Sequence, residues 1–322
     1  MALHGWLIVD KPVGLGSTQV VSALKRAVRE GGYPKVKVGH GGTLDPLASG
    51  VLPVALGEAT KLCGRALNAD KDYEFTIRFG EETDTLDLEG EVVARSARRP
   101  TMAEVQAVLV RFTGEVEQVP PAYSAVKVDG KRAYDLARAG AAVELKSRSV
   151  TVHGLAIRHA ELVSASSRDA SERSSAWALK RVQGDDGQVA AVTLSATVSK
   201  GTYIRSLARD IAHALDTVGH VITLRRTRAG PFGLDGAISL DKLGEAAKGG
   251  SLENTLLPLA AGLDDIPALS VTPDQARALR QGRKLAGIAA TPGLHLATDR
   301  DVPVALVELC EGELRVVRGF TL

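Results

Sequence analysis

Residues 38–61, VGHGGTLDPLASGVLPVALGEATK, limit the folds open to this chain more than any other segment. The segment is apolar, yet it holds five glycines and two prolines in 24 positions and shows no helical or strand periodicity. This pattern predicts a covered irregular loop, in which only the end, from about Glu58, can start a helix. Buried irregular backbone needs specific hydrogen-bond partners, so such segments are often functional sites.

Strands are predicted on both sides of this loop. GWLIVDKP is typical of a short buried strand, and residues 72–80 alternate apolar and polar side chains as a half-buried strand does. Two further strands are predicted near residues 149–158 and 189–199. Between them, the Ser/Arg-rich residues 161–188 predict a mobile surface insertion.

Helices are predicted from Ser17, after Thr101 and after Thr202. Thr101 and Glu104 have the spacing of a capping box, and Thr202 is expected to cap a helix that carries Arg205 in its first turn. Arg205 lies off the apolar face of that helix, which leaves its side chain available for another contact.

The sequence changes character beyond Leu259. Thr272 and Pro273 are placed to begin a helix, and three short apolar runs follow near 294–298, 303–309 and 314–318. We therefore predict two domains, residues 1–267 and a small β-rich module, residues 268–322.

The composition is that of an ordinary globular protein, with 40 Lys+Arg, 38 Asp+Glu and 44% apolar residues. Two cysteines permit at most one disulfide and cannot supply a four-thiolate metal site. No stretch has the pattern of a signal peptide or a membrane span. We therefore expect a cytoplasmic protein that does not enter membranes.

Charges are unevenly distributed along the chain. Glu81 to Glu91 contain six acids and no base, whereas residues 200–230 are rich in cations. The second stretch contains Lys200, Arg205, Arg209, Arg225, Arg226 and Arg228. These cations could form a phosphate-binding patch or simply a solvated face, and charge alone favours the second.

Several catalytic motifs are missing from the sequence. Gly14 and Gly16 follow a strand and precede a helix, but Gln19 replaces the third glycine of a dinucleotide fingerprint, so a tight turn is favoured. There is no P-loop, HExxH or GxSxG motif. What is left is the carboxylate of Asp45 in the glycine-rich loop, although an Asp-Pro pair alone is most often a turn.

The longer string GHGGTLDPLASGVLPVALGEATK closely resembles the catalytic motif of the TruB family, the bacterial tRNA pseudouridine(55) synthases. Other segments resemble this family in the same order: LIVDKPVGLGS, the strand beginning Lys71-Asp72-Tyr73, QVPPAYSAVKVDGKRAYDLAR, SKGTYIRSLARDI and HVITLRRTRAGPF. The resemblance implies an α+β pseudouridine-synthase fold with a mixed, mainly antiparallel central sheet. The C-terminal residues are loosely similar to the PUA-like RNA-binding module of such enzymes.

The resemblance also implies roles for particular residues. Asp45 would be the catalytic carboxylate that exchanges the glycosidic bond, acting at the base or at the sugar, after the uridine is flipped from its stack. His40 would fill the space of the flipped base, Tyr73 would stack under the uracil, and Leu224 would line its pocket. Arg205 would pair with Asp45. Simple packing of Tyr73 and a phosphate contact of Arg205 are the alternatives.

The matching segments add Lys11, Lys200, Thr202 and Tyr203 as predicted substrate-binding residues. The implied enzyme is a monomer that acts on the T-stem–loop of tRNA, with no metal, cofactor or obligatory protein partner. Gly41 stands where many relatives have a hydroxyl residue, which bears on substrate recognition. An RNA-guided synthase of the same fold and an RNA-binding folding module without turnover remain as alternatives. The short stretch before the first strand favours the stand-alone enzyme over the RNA-guided one.

Overall fold

A computed structural model describes residues 3–124, 126–128, 130–139, 145–162 and 187–322. The strands are β1 (Gly5–Lys11), β2 (Val38–His40), β3 (Ala48–Leu56), β4 (Lys71–Phe79), β5 (Glu81–Thr83), β6 (Val92–Arg95), β7 (Gly114–Gln118), β8 (Lys127–Val128), β9 (Lys131–Arg132), β10 (Arg148–Leu162), β11 (Val189–Val198), β12 (Gly219–Ala229), β13 (Phe232–Gly233), β14 (Ala268–Ser270), β15 (Leu285–Ala286), β16 (Gly293–Asp299), β17 (Val302–Cys310) and β18 (Glu313–Gly319). The α-helices are α1 (Ser17–Glu30), α2 (Cys63–Asn68), α3 (Met102–Leu109), α4 (Ala133–Arg138), α5 (Ile204–Ala214), α6 (Leu240–Lys248) and α7 (Pro273–Arg280).

The chain forms two compact units. The first contains the residues up to Pro46 together with Gly50–Ala69 and Arg228–Leu322, and the second contains Leu47–Ser49 and Asp70–Thr227.

In the first unit, β3 pairs antiparallel with β1, so that Ile8 lies opposite Pro53, and β2 pairs antiparallel with the end of β3. The predicted irregular loop over residues 38–61 is therefore wrong in part, because Ala48–Leu56 is a regular strand. All but one of its residues are buried. A strand covered on both faces shows no alternation in sequence, so its sequence does not differ from that of an apolar irregular segment.

The C-terminal residues of the first unit form a separate sheet in the order β14-β16-β17-β18-β15. Helix α7 packs against it through Ala276 and Leu279, and Thr272 caps that helix as predicted. Leu296, Leu306 and Phe320 belong instead to a core that also contains Trp6. The predicted β-rich module is confirmed as a sheet, while the boundary at residue 268 stays a prediction.

In the second unit the sheet order is β12-β4-β11-β10-β7. The predicted alternation in β4 is confirmed, since Phe75, Ile77 and Phe79 are buried in a core that includes the apolar face of α5. Thr101 caps α3 through the predicted box with Glu104. Thr202 does not cap α5, which begins at Ile204, because its hydroxyl donates instead to the carbonyl of Ser199 at 3.0 Å.

The predicted α+β class is confirmed, with antiparallel pairing of β1 with β3, β4 with β11 and β10 with β11, and parallel pairing of β14 with β16. Residues 163–186 of the predicted insertion lie outside the described residues. Within the described part of the chain, no helix is both long and apolar enough to cross a bilayer.

The Trp6 side chain ties the first strand to the core of the first unit. It is fully buried, its indole N–H donates to the carbonyl of Leu259 at 3.2 Å, and its ring centroid lies 5.0 Å from that of Phe232. We expect Trp6→Ala to lower the free energy of unfolding by about 3–5 kcal/mol. Trp6→Phe should cost less, about 1–3 kcal/mol, because it keeps one aromatic ring in the core and loses the five-membered ring of the indole together with its hydrogen bond. Urea denaturation followed by circular dichroism measures both, and equal losses would contradict this account.

Candidate active site

Asp45 lies in the loop between β2 and β3, and neighbouring peptides hold it in place. The hydroxyl of Ser17, the first residue of α1, donates to the carbonyl of Leu44 at 3.1 Å and accepts from the amide of Leu44 at 2.7 Å. Leu44 is buried, whereas Asp45 is half-buried. The residue before Asp45 is thus fixed by a side chain, and the carboxylate itself keeps some access to solvent.

The residue after Asp45 is also fixed. The carbonyl of Pro46 accepts hydrogen bonds from the amide of Gly14 at 2.8 Å and from the ammonium of Lys11 at 3.2 Å. Gly14 has a φ of 91°, a conformation that glycine adopts without strain. The favoured interpretation of Gly14 as part of a tight turn fits this bond, because its N–H is used within the protein.

Lys11, one of the predicted substrate-binding residues, contacts several backbone carbonyls. Its side chain is fully buried, and its ammonium also donates to the carbonyls of Pro12 at 2.9 Å and Leu15 at 2.5 Å. A cation surrounded by backbone carbonyls in this way supports the loop. This arrangement favours a supporting role over the predicted contact with substrate.

His40 ends β2 opposite Val54 and is half-buried. Its Nδ1 accepts a long hydrogen bond of 3.4 Å from the amide of Gly42. Gly41 lies between these two residues in the sequence. A side chain there would clash, because its Cβ atom would lie 2.5 Å from the Cβ of Ala66. The glycine at position 41, which departs from many relatives, therefore matches the close approach of α2 in this chain.

Tyr73 and Leu224 lie in the second unit, on β4 and β12. Both are half-buried and pack against the same apolar core, at whose margin a flat ring and an aliphatic wall remain partly accessible. This packing is compatible with the predicted pocket and with the simpler packing role of Tyr73.

Arg205 is the most completely enclosed of the predicted site residues in the second unit. One end nitrogen, Nη1, donates to the carbonyl of Thr85 at 2.7 Å and lies 3.3 Å from the carboxylate of Asp87. The other, Nη2, donates to the carbonyl of Tyr123 at 2.9 Å. The predicted pairing of Arg205 with Asp45 involves residues of different units and stays a prediction.

Asp87 is a candidate site residue that the sequence did not single out. Its side chain is only 7% exposed, and its carboxylate accepts from the Thr85 hydroxyl at 2.5 Å and from the Glu89 amide at 3.0 Å. The preceding residue, Leu86, has a φ of 63°, which costs a residue with a Cβ atom about 1–2 kcal/mol. Nothing in the sequence separates Asp87 from the five other acids of its run, because its partner is distant along the chain.

The remaining predicted substrate-binding residues lie around the start of α5. Lys200 is exposed and Thr202 is half-buried. The amide of Tyr203 is held by the side-chain carbonyl of Gln118 at 2.8 Å, and the guanidinium of Arg148 lies 5.7 Å from the centre of the Tyr203 ring. The Tyr203 ring thus already has a cation over one face.

The basic stretch 200–230 is not one uniform surface. Arg226 is buried, and Arg209 is paired with Asp210 at 2.8 Å. The pKa of Lys71 is lowered to about 8, first because its side chain is buried and second because the positive charge of Arg226 is nearby. Arg226 and Arg209 therefore do not behave as the freely exposed cations that both a phosphate-binding patch and a solvated face would require.

The described residues contain no group of three or more His, Cys, Asp or Glu side chains that could hold a metal ion. The arrangement instead offers a half-buried carboxylate on a fixed loop in one unit. In the other unit it offers a buried arginine–aspartate pair and an apolar margin with an aromatic ring. Taken separately, a half-buried carboxylate suits nucleophilic or proton-transfer chemistry, and an apolar margin with an aromatic ring suits contact with a planar group.

Comparison with known sequences identifies the family. The profile described as TruB family pseudouridylate synthase (N terminal domain) matches residues 30–204, and that described as tRNA pseudouridylate synthase B C-terminal domain matches residues 205–264. A tRNA pseudouridine synthase B of Novosphingobium aromaticivorans is 58% identical over 99% of this chain and 98% of that protein. The protein of the same name from Zymomonas mobilis is also 58% identical, over 99% of this chain and 96% of its own length.

Two solved structures share the fold. A chain in the structure of an H/ACA RNP bound to a substrate RNA containing 2′-deoxyuridine has a TM-score of 0.69 at 23% identity, over 99% of this chain and 86% of that one. A chain in a Cbf5-Nop10-Gar1 complex has a TM-score of 0.68 at 26% identity, over 99% and 84% of the two chains. With relatives of 58% identity along nearly its whole length, this chain belongs to the TruB family of pseudouridylate synthases, which are isomerases.

Proposed function

We propose that this protein converts uridine 55 in the T-loop of tRNA to pseudouridine. Its relatives are named tRNA pseudouridine synthase B, which supports tRNA as the substrate. The observation that carries the proposal is the half-buried Asp45, whose neighbours Leu44 and Pro46 are fixed by hydrogen bonds from the β1–α1 segment. A carboxylate held in this way is ready to meet a reacting sugar or base with little reorganisation.

The reaction exchanges one bond for another. The N1–C1′ glycosidic bond breaks, the uracil turns, and a C5–C1′ bond forms, while C5 loses a proton and N1 gains one. Substrate and product are isomers with no redox difference, so we propose that no cofactor takes part. Because the uridine must leave its stack, His40 takes the vacated space and Tyr73 meets the flipped ring.

The proposed position is tested by mapping pseudouridine in an unmodified tRNA transcript incubated with the purified protein alone. We expect one product site, at position 55, and none in a matched transcript with cytidine at that position. Modification of a different uridine, or binding and refolding of tRNA without any pseudouridine, would overturn the proposal.

The negative charge of Asp45 is required for the proposed reaction. Asp45→Asn keeps the size of the side chain but removes its negative charge, so we expect the single-turnover rate to fall by at least about 100-fold. Binding of tRNA should be largely retained, because phosphate contacts supply most of the affinity. The exposed Asp264 provides a control, and Asp264→Asn should leave the rate unchanged. A rate for Asp45→Asn within tenfold of wild type would rule out Asp45 as the catalytic group.

The second prediction separates chemistry from packing at Tyr73. Tyr73→Phe keeps the ring against the core and removes only the hydroxyl, so we expect slower isomerisation with little change in tRNA affinity. Tyr73→Ala should also lower stability, by up to about 3–5 kcal/mol, because a partly buried aromatic ring is lost. Full activity of Tyr73→Phe would leave the residue only a packing role.

The third prediction concerns the pair of Arg205 with Asp87. Arg205→Lys keeps the charge but loses the planar fork that reaches Thr85, Asp87 and Tyr123. We expect this variant and Arg205→Met to lower the single-turnover rate, the latter by at least about 100-fold, with the salt dependence of binding unchanged. Asp87→Asn should reduce the rate less, because the hydrogen bonds of its side chain can partly persist.

Thermal denaturation must accompany these measurements, since Arg205→Met leaves the carboxylate of Asp87 buried without its partner at a cost of about 3–5 kcal/mol. Arg205→Lys limits this cost. If both Arg205 variants kept the wild-type rate and lowered the salt slope of binding by about one unit, Arg205 would be a phosphate contact instead.

A further inference from the structure

The first unit contains a cavity of about 720 Å³ between α1 and the segment that leads into β2. Four cations line it: Lys25 and Arg29 from α1, and Lys35 and Lys37 from the following segment. All four are exposed, and none forms an ion pair with another described residue. The described lining contains no acidic residue. An anion is the ligand that this charge distribution favours.

The position of these cations has an electrostatic cost in the protein alone. Lys25 and Arg29 are four residues apart on a helix, so they lie on the same face and repel each other. Lys35 and Lys37 bring two further positive charges to the same cavity. A chain of phosphates that passes the cavity would relieve this repulsion and release its own counterions.

The cavity also has an apolar floor of uncharged side chains. Val28 and Val36 contribute aliphatic walls, and Tyr33 contributes its ring. The Tyr33 hydroxyl is fixed, because it donates to the carboxylate of Glu253 at 2.8 Å and accepts from the amide of Leu252 at 2.9 Å. Cations around an apolar floor suit a ligand with phosphate groups and exposed ring or sugar surfaces, as single-stranded or looped RNA has.

The cavity lies close to the loop that holds Asp45, because both adjoin β2. Val38 lines the cavity and is the first residue of β2, and His40 is the last residue of that strand. Since a strand rises about 3.3 Å per residue, the cavity wall lies within about 7 Å of the His40 backbone. An RNA that places a flipped nucleotide at His40 would carry its adjoining backbone past the cations.

We infer that this basic cavity binds the phosphodiester backbone of the tRNA substrate beside the nucleotide that is modified. The inference rests on the proposed function for the identity of the RNA. The charge and the shape of the cavity support the binding of a phosphodiester backbone there. An acidic protein partner is the other ligand class that four cations could attract, but the adjacency to the catalytic loop favours RNA.

The test compares two pairs of substitutions in the full-length protein. Lys35→Gln/Lys37→Gln removes two cavity cations, and Lys242→Gln/Lys248→Gln removes two exposed lysines from α6 outside the cavity. The dissociation constant for an unmodified tRNA transcript is measured by filter binding from about 50 to about 200 mM salt. We expect the cavity pair to weaken binding about tenfold and to reduce the salt slope by about 1.4–1.8, or 0.7–0.9 for each phosphate contact.

The control pair should retain wild-type affinity and slope. Equal affinities and slopes for the cavity pair and the control pair would overturn the inference, and an acidic protein would then be the better partner. Circular dichroism verifies folding, and Lys25→Gln/Arg29→Gln provides a second, independent cavity pair that should behave as the first does. Failure of the proposed function would appear separately, as a wrong or missing product site with the wild-type protein. The salt slopes of the variants can still be compared in that case, because they measure tRNA binding and not product.

Discussion

Hydrogen bonding of the backbone between β2 and β3 is the constraint on which the candidate site depends. Covered irregular backbone is stable only when its N–H and C=O groups have partners. Here Ser17 uses its hydroxyl as both donor and acceptor toward Leu44, and Gly14 and Lys11 share the carbonyl of Pro46. These partners come from the end of β1, from the turn that follows it and from the first residue of α1. Strand, turn and helix must therefore be in place before Asp45 has a defined position.

A second constraint is the burial of a guanidinium group in the other unit. A buried arginine must be paired and hydrogen-bonded, and Arg205 finds two carbonyls and the carboxylate of Asp87. Leu86 has a left-handed backbone in the turn that positions the carboxylate of Asp87. The long-range pair of Asp87 with Arg205 therefore involves local backbone strain. The acidic run from Glu81 to Glu91 is thus not one negative face. Its members have separate partners, such as His213 for Glu82, whose side chains share a hydrogen bond of 2.6 Å.

Positive charge is likewise assigned by the tertiary structure and not by density along the chain. The conspicuous basic stretch after residue 200 contains a buried Arg226 and a paired Arg209. Less conspicuous cations, spread over α1 and the segment after it, converge on one cavity of the first unit. Electrostatic attraction for RNA depends on which cations share an accessible surface, and linear charge runs report this poorly.

Features that depend on neighbouring residues are predictable from the amino-acid sequence. The alternation in β4, the caps at Thr101 and Thr272, and the long motif around Asp45 could all be read directly, because periodicity reports one-sided burial and caps are bonds across three positions. Three other features are evident only in the folded chain: residues 48–56 form a covered strand, Lys11 supports a loop, and Asp87 pairs with Arg205. Each of these depends wholly or in part on partners far along the chain, which leave no pattern in the local sequence.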